Sequence, residues 1–379
     1  MINYVSNQPN TRYSVGVRAE RNGGTDVMVW YPAESSPETE PYDYHGLGRG
    51  KSEASLNAPP VQGESFPLIL ASHGIGTCAP DLWQLAESWA SAGYVVAAPD
   101  HADAAMCHIG GGSDITPREF YRAAIRGRFD LGSTVQNLLP GQLAMVLNDI
   151  SYRSEETYST IDAAIDWSGD PSSFLYGMVD PGQIGIAGHS LGGWDSFYTA
   201  GAGMHCEGVP PEVCEAPPEN LSTDRLIEYT CCSDAFRDST THGTHPNVHA
   251  VLGIGPGMIY FPNYLGLEDM EGVQTMFITE ALPPRVDYWT NSGIPYEIVS
   301  PPRNDIVLWS NHMTVSASID AIPFVRPLLP GSLWHRSALR AYSDWSTAFF
   351  DSSLKGDASG LEALRGGCSL VVKEKSWED

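Results

Sequence analysis

Short apolar runs set the architecture of this chain. Leu68-Ile69-Leu70-Ala71, Tyr94 to Ala98, Ile184-Gly185-Ile186-Ala187, His249 to Ile254 and Thr275 to Thr279 recur along it, with helical or irregular stretches between them. Runs this short and this apolar read as strands buried on both faces. Helical periodicity fills residues 80–92, 141–167 and 336–354, the last with Leu339, Tyr342, Trp345, Phe349 and Leu354 on one side. Strands that alternate with helices predict an α/β fold: a mostly parallel, doubly wound sheet covered on both faces.

Other segments decorate that plan. Residues 13–19 and 26–32 alternate apolar and polar around Asn22-Gly23-Gly24, which reads as an N-terminal hairpin. Residues 33–63 read as a long surface connection and 102–140 as irregular. The stretch 295–309 is expected to hold the last strand. Residues 202–247, rich in Pro, Cys, Glu and Thr, read as a cap-like insertion that shapes the substrate entrance of one domain spanning 1–379.

The formal charge of −25, from 21 basic and 46 acidic residues, argues against nucleic acid and against anionic membrane surfaces as partners. No apolar run approaches the roughly 20 residues that span a bilayer. The polar N-terminus, Met1 to Asn10, contains no recognisable signal peptide, so the chain either stays inside the cell or has lost a leader. Oligomeric state is not legible.

The strand at 184–187 runs straight into Gly188-His189-Ser190-Leu191-Gly192, followed by Gly193. The G-x-S-x-G pattern stands a serine on a tight strand-to-helix turn, where only small residues fit two positions to either side. Ser190 is therefore the candidate nucleophile. The earlier strand ends in Ser72-His73-Gly74-Ile75-Gly76, a loop placed to offer a backbone N–H to an oxyanion. Ile75, with Gly74 or Gly76 as alternatives, and Leu191 are the expected donors.

A serine hydroxyl needs a base. Of eleven histidines, His312 lies where the order Ser…acid…His puts it, after the last expected strand. His335 abuts the final helix and is second choice; His189 is expected to point away from the nucleophile. For the acid, Glu280 follows the strand at 275–279 directly and is preferred. Asp287 is the alternative by residue type, and Asp305 is a third option if Tyr296-Glu297-Ile298-Val299 is a strand.

Taken together, Y-S-V-G-V-R at 13–18, V-W-Y-P-A at 29–33, F-P-L-I-L-A-S-H-G at 66–74, G-Y-V-V-A-A-P-D-H at 93–101 and I-G-I-A-G-H-S-L-G-G at 184–193 resemble bacterial relatives of platelet-activating factor acetylhydrolase. These α/β-hydrolases are often labelled predicted dienelactone hydrolases. The resemblance extends to Thr347–Asp351 and Leu354-Lys355-Gly356, and thins over 102–140 and 202–247. It implies an α/β-hydrolase fold and serine ester hydrolysis on small or short-acyl esters, with no metal or organic cofactor. Ser190 stands where true dienelactone hydrolases carry cysteine, so carboxylesterase fits better than lactonase. The acetylhydrolases place their acid after the strand preceding 275–279, but Ile254-Gly255-Pro256-Gly257 holds no carboxylate. Pro283-Pro284 likewise occupies the place of the commoner G-x-x-D aspartate. A catalytically inactive binding protein and a lipase or polyesterase of the same fold are the alternatives.

Cys206, Cys214, Cys231 and Cys232 crowd the insertion, and the adjacent pair is expected to reach back to 206 and 214. Cys78 with Cys107 is a third expected bridge, leaving Cys368 over. Such bridges would imply a secreted or periplasmic setting, whereas free thiols would suit the cytoplasm. His101, Asp103 and His108 match no compact zinc spacing, nor do Cys206 and Cys214, so no metal is expected. Asn220-Leu221-Ser222 is a glycosylation sequon. Trp194 and Trp309 are candidates for lining a pocket, or else for the core.

Overall fold

The computed structural model describes residues 13–35, 40–48, 50–127, 131–206, 209–215, 231–232, 245–257, 265–365 and 370–377. A ten-stranded sheet organises them. In chain order its strands are β1 (Ser14–Asn22), β2 (Thr25–Ala33), β3 (Ala54–Leu56), β4 (Phe66–Ser72), β5 (Val95–Pro99) and β6 (Val179–His189), then β8 (Val248–Ile254), β10 (Gln274–Leu282), β11 (Arg303–Asn311) and β12 (Val371–Trp377). The spatial order is β12-β11-β10-β8-β6-β4-β5-β2-β1-β3, and a separate pair joins β7 (Gly203–Met204) to β9 (Leu265–Gly266). From β11 through β10, β8, β6 and β4 to β5, every pairing is parallel. At the margins, β2 lies antiparallel to β5 and β12 antiparallel to β11.

Every residue of β4 and β5 is buried, as expected of strands covered on both faces. One face packs on α1 (Trp83–Ser91) and α10 (His335–Lys355), through Trp89, Tyr342, Trp345 and Phe350. The other packs on α5 (Ser151–Gly169) and α6 (Leu191–Thr199), through Ile161, Trp194 and Phe197. Each such side chain stabilises the fold by about 1.5–3 kcal/mol relative to exposure. Gly185 lets α10 approach β6, because a Cβ there would meet the Phe350 ring at 2.7 Å. Among the described residues no helix is long and apolar enough to cross a membrane.

The hairpin forms as expected, Asn22 pairing with Thr25. Four expectations need correcting. Residues 102–140 hold two helices, α2 (Pro117–Arg126) and α3 (Leu131–Leu138), and α4 (Pro140–Asn148) begins at the segment's end. The missed start signal of α2 is a capping box: Thr116 accepts from the Glu119 N–H while Glu119 accepts from the Thr116 N–H. The connection at 33–63 contains β3 and buries Tyr44 and Leu47. Tyr296–Ile298 belong to a short helix, α8 (Ile294–Ile298), rather than a strand. Finally, β11 is not the last strand, since β12 returns beside it.

Bridges join Cys78 to Cys107, Cys206 to Cys231 and Cys214 to Cys232, pairings consistent with an extracellular or periplasmic location. The latter two staple the 202–247 insertion. Cys368 and the sequon lie outside the described residues.

Candidate active site

The sheet's carboxyl edge gathers the candidate residues, where open α/β sheets bind ligands. Ser190 follows β6 with φ +56° and ψ −121°, a left-handed backbone that costs a non-glycine residue of order 1–3 kcal/mol. Its neighbours explain how the turn is tolerated. A Cβ on Gly188 would lie 1.9 Å from the Gly192 carbonyl oxygen, and one on Gly192 would lie 2.1 Å from the Ser72 oxygen. Both positions therefore require glycine, and the half-buried Ser190 stays accessible between them. Leu191 opens α6, in the first turn, where helix N–H groups lack an intrahelical partner.

Ser190, Ile75 and His312 line one cavity of about 380 Å³. Its walls are apolar: Met106, Phe120 and Tyr121, then Val135, Leu138 and Leu139, and across from them Met313, Ile319, Val325, Leu328 and Leu329. Among the described residues, no Asp, Glu, Lys or Arg belongs to its lining. The roof comes from α2, α3 and the segment 313–330, and the described residues of the 202–247 insertion contribute no part of the lining.

His312 follows β11 and is 3% exposed; Glu280, near the end of β10, is 2% exposed. His312 Nδ1 and Glu280 Oε1 stand 3.4 Å apart, within ion-pair reach but without hydrogen-bond alignment. Catalytic hydrogen bonds are often long in a free enzyme and tighten when substrate binds. Gly255, one residue past β8, opens the space between them. A Cβ at its φ of +47° would lie 2.4 Å from Glu280 Oε1 and 2.7 Å from His312 Nδ1. The resemblance noted in the sequence puts the acid just past this strand; here the carboxylate beside His312 reaches over from the neighbouring strand.

His189 does not point away, as expected, but lines the cavity. Its ring lies 4.5 Å from that of His312, and its Nε2–H donates to the His312 carbonyl at 2.9 Å. Burial, and then the neighbouring His312, hold its pKa well below the usual histidine range, so it stays neutral. Nothing in the spacing marks this contact, which depends on how β6 and β11 are aligned across the sheet. Among the described residues, His189, Glu280 and His312 also form the group of metal-ligand type, their ligand atoms within 4.8 Å of one another.

Other candidates lie elsewhere. Asp287 is exposed and accepts from the Thr290 N–H and hydroxyl, a local turn rather than a partner for His312. Asp305 accepts from Tyr288 and Ser292 at 2.6 and 2.5 Å, six positions upstream of the strand end. His335 opens α10 beside Arg326. Trp194 is core, stacked on Tyr198, and Trp309 is half exposed; neither lines the cavity. His101, Asp103 and His108 are engaged separately, with Glu156, Arg153 and Asp114 respectively.

Residues 43–110 match the family model described as platelet-activating factor acetylhydrolase, isoform II. The match supports a platelet-activating factor acetylhydrolase-like α/β-hydrolase family. It spans β3, β4, α1, β5 and the Ser72–Gly76 loop, and it stops well short of Ser190. A match of this kind suggests a serine-esterase or phospholipase-type hydrolase acting on esters. No curated protein matches the chain.

Proposed function

We propose that the chain is a serine carboxylesterase acting on compact, uncharged esters, including small or short-acyl ones, through a covalent acyl-enzyme. The observation that carries this reading is one of geometry: a serine strained at φ +56° shares a cavity with a histidine whose Nδ1 stands 3.4 Å from a buried carboxylate. Ser190 attacks the carbonyl carbon as His312 Nε2 takes its proton. Glu280 orients the imidazole through Nδ1 and stabilises the imidazolium. The N–H groups of Ile75 and Leu191 hold the oxyanion, where each donor is worth about 10²–10³ in turnover. His312 then protonates the leaving alcohol, and water releases the acid.

The cavity supports the substrate class. Its lining, apolar and without charged side chains among the described residues, favours an uncharged acyl or alkyl group over a carboxylate or phosphate. The alternative of an inactive binding protein draws on the missing aspartate after β8; Glu280 supplies a carboxylate near His312 from another strand.

Ser190→Ala is expected to reduce p-nitrophenyl acetate and butyrate hydrolysis by about 10⁶, and a fluorophosphonate should label wild type but not the variant. Near-full activity in Ser190→Ala, or an unlabelled wild type, would overturn the reading.

A further inference from the structure

The oxyanion donor of Ile75 belongs to the same peptide unit as the carbonyl of Gly74. In a trans peptide these two groups point in opposite directions, so whatever holds the carbonyl aims the N–H. Four donors converge on that oxygen: the Thr77 N–H at 3.2 Å, the Thr77 hydroxyl at 3.0 Å, His73 Nδ1 at 2.8 Å and Arg153 Nη2 at 3.3 Å. The same guanidinium donates through Nη1 to the preceding carbonyl, His73 O, at 2.7 Å.

Each of these groups is itself held. Arg153 and Asp103 are both fully buried, and Nη2 meets both Asp103 oxygens at 2.7 Å. Asp103 also accepts from the Gly76 N–H at 2.8 Å, on the far side of Ile75, and from the Tyr152 hydroxyl at 3.0 Å. His73 accepts at Nε2 from the His101 N–H at 3.1 Å, which leaves its proton on Nδ1 to donate to Gly74. Burial and then Arg153 push the His73 pKa down to about 4, so this tautomer persists at neutral pH.

We propose that Arg153 is a positioning residue for ester hydrolysis, which with Asp103 and His73 grips the peptide units on either side of Gly74 and so aims the Ile75 N–H at the oxyanion. An ion pair taken wholly out of water is weak evidence of a stabilising role. This one is spent on the main chain of the single loop that must keep a donor oriented. The inference rests on the esterase reading above and adds to it a role for residues that never touch substrate.

The test separates aim from stability. Arg153→Lys keeps the charge beside Asp103 but loses the forked grip, and Thr77→Val removes one donor from the Gly74 oxygen. For folded protein, Arg153→Lys should lower kcat about 10- to 100-fold with KM within threefold, short of the full loss of a donor. Affinity for an alkyl boronic acid, whose adduct with the serine is tetrahedral, should fall in parallel. Thr77→Val should lower both by about threefold to tenfold and decides the matter if Arg153→Lys does not fold.

A folded Arg153→Lys with kcat and boronate affinity within twofold of wild type overturns the proposal, even if its melting temperature drops. The same null result in Thr77→Val overturns it where the lysine variant is unfolded. Fluorophosphonate labelling of the wild type tests the underlying reading separately: a labelled wild type beside unaffected variants sinks only the positioning role, whereas an unlabelled wild type sinks both.

Discussion

Glu280→Gln tests the acid, the position for which the sequence left Asp287 and Asp305 as alternatives. The amide keeps the shape of the side chain and removes its charge, 3.4 Å from His312 Nδ1. In the proposed reaction a positive charge forms on His312 in the transition state. At that separation, with an effective dielectric of about 20, a carboxylate favours the imidazolium by about 5 kcal/mol. Losing it corresponds to a fall in kcat of about 10³–10⁴. KM should move little, because the interaction lost is one made with charge that develops only in the transition state. The measurement is steady-state hydrolysis of p-nitrophenyl butyrate, with Asp287→Asn assayed in parallel and melting curves for each protein. Asp287→Asn should stay within threefold of wild type, since its carboxylate serves Thr290. The melting curves separate a loss of catalysis from a loss of folded protein. If Glu280→Gln keeps more than a tenth of kcat, or Asp287→Asn loses more than a hundredfold, the assignment of the acid is wrong.

Two further outcomes follow from the buried network and the bridges. Ser72 donates to Asp195 at 2.8 Å and so accepts from His101 Nε2 at 2.9 Å, which leaves His101 Nδ1 as an acceptor and requires Glu156, at 2.8 Å, to carry a proton. Burial pushes the Glu156 pKa up to about 8, in agreement. A carboxyl raised in the folded state contributes stability that is fully present below its unfolded value and is lost as pH rises through about 8. Glu156→Gln, whose amide donates at every pH, should therefore flatten the decline of melting temperature between about pH 4.5 and 8 by roughly 5 °C; an unchanged profile would refute the proton placement. Alkylation of the denatured, unreduced chain should label one cysteine of seven, since six lie in the three bridges, and three or more labelled thiols would contradict that pairing. Reduction should lower stability by about 2–4 kcal/mol per bridge.

Local chemistry carries across to the folded chain where a residue's role depends on its immediate neighbours. Apolar runs of four to six residues read as buried strands, so most strands of the sheet's parallel centre were readable, and so was the turn at Ser190, because Gly188 answers a clash with Gly192 only four residues on. The two flanking helices of the roof were missed although Thr116-Pro117 with Glu119 spelled a helix start and α2 separates its apolar from its polar side; each is short, ten and eight residues, and α2 is polar on balance.

What the amino-acid order determined by itself was the parallel α/β plan, the serine on its bend and the histidine past the final parallel strand. Only the tertiary structure set Glu280 rather than Asp287 beside His312, turned His189 toward His312, and brought Arg153 beneath the loop at Gly74. The physical reason is the reach of each constraint. A tight turn or an apolar strand is settled by sterics and burial among adjacent residues. Whether a carboxylate at the end of one strand meets an imidazole at the end of the next depends on strand alignment, and the space left by a glycine just past a third strand is invisible until all three are packed together.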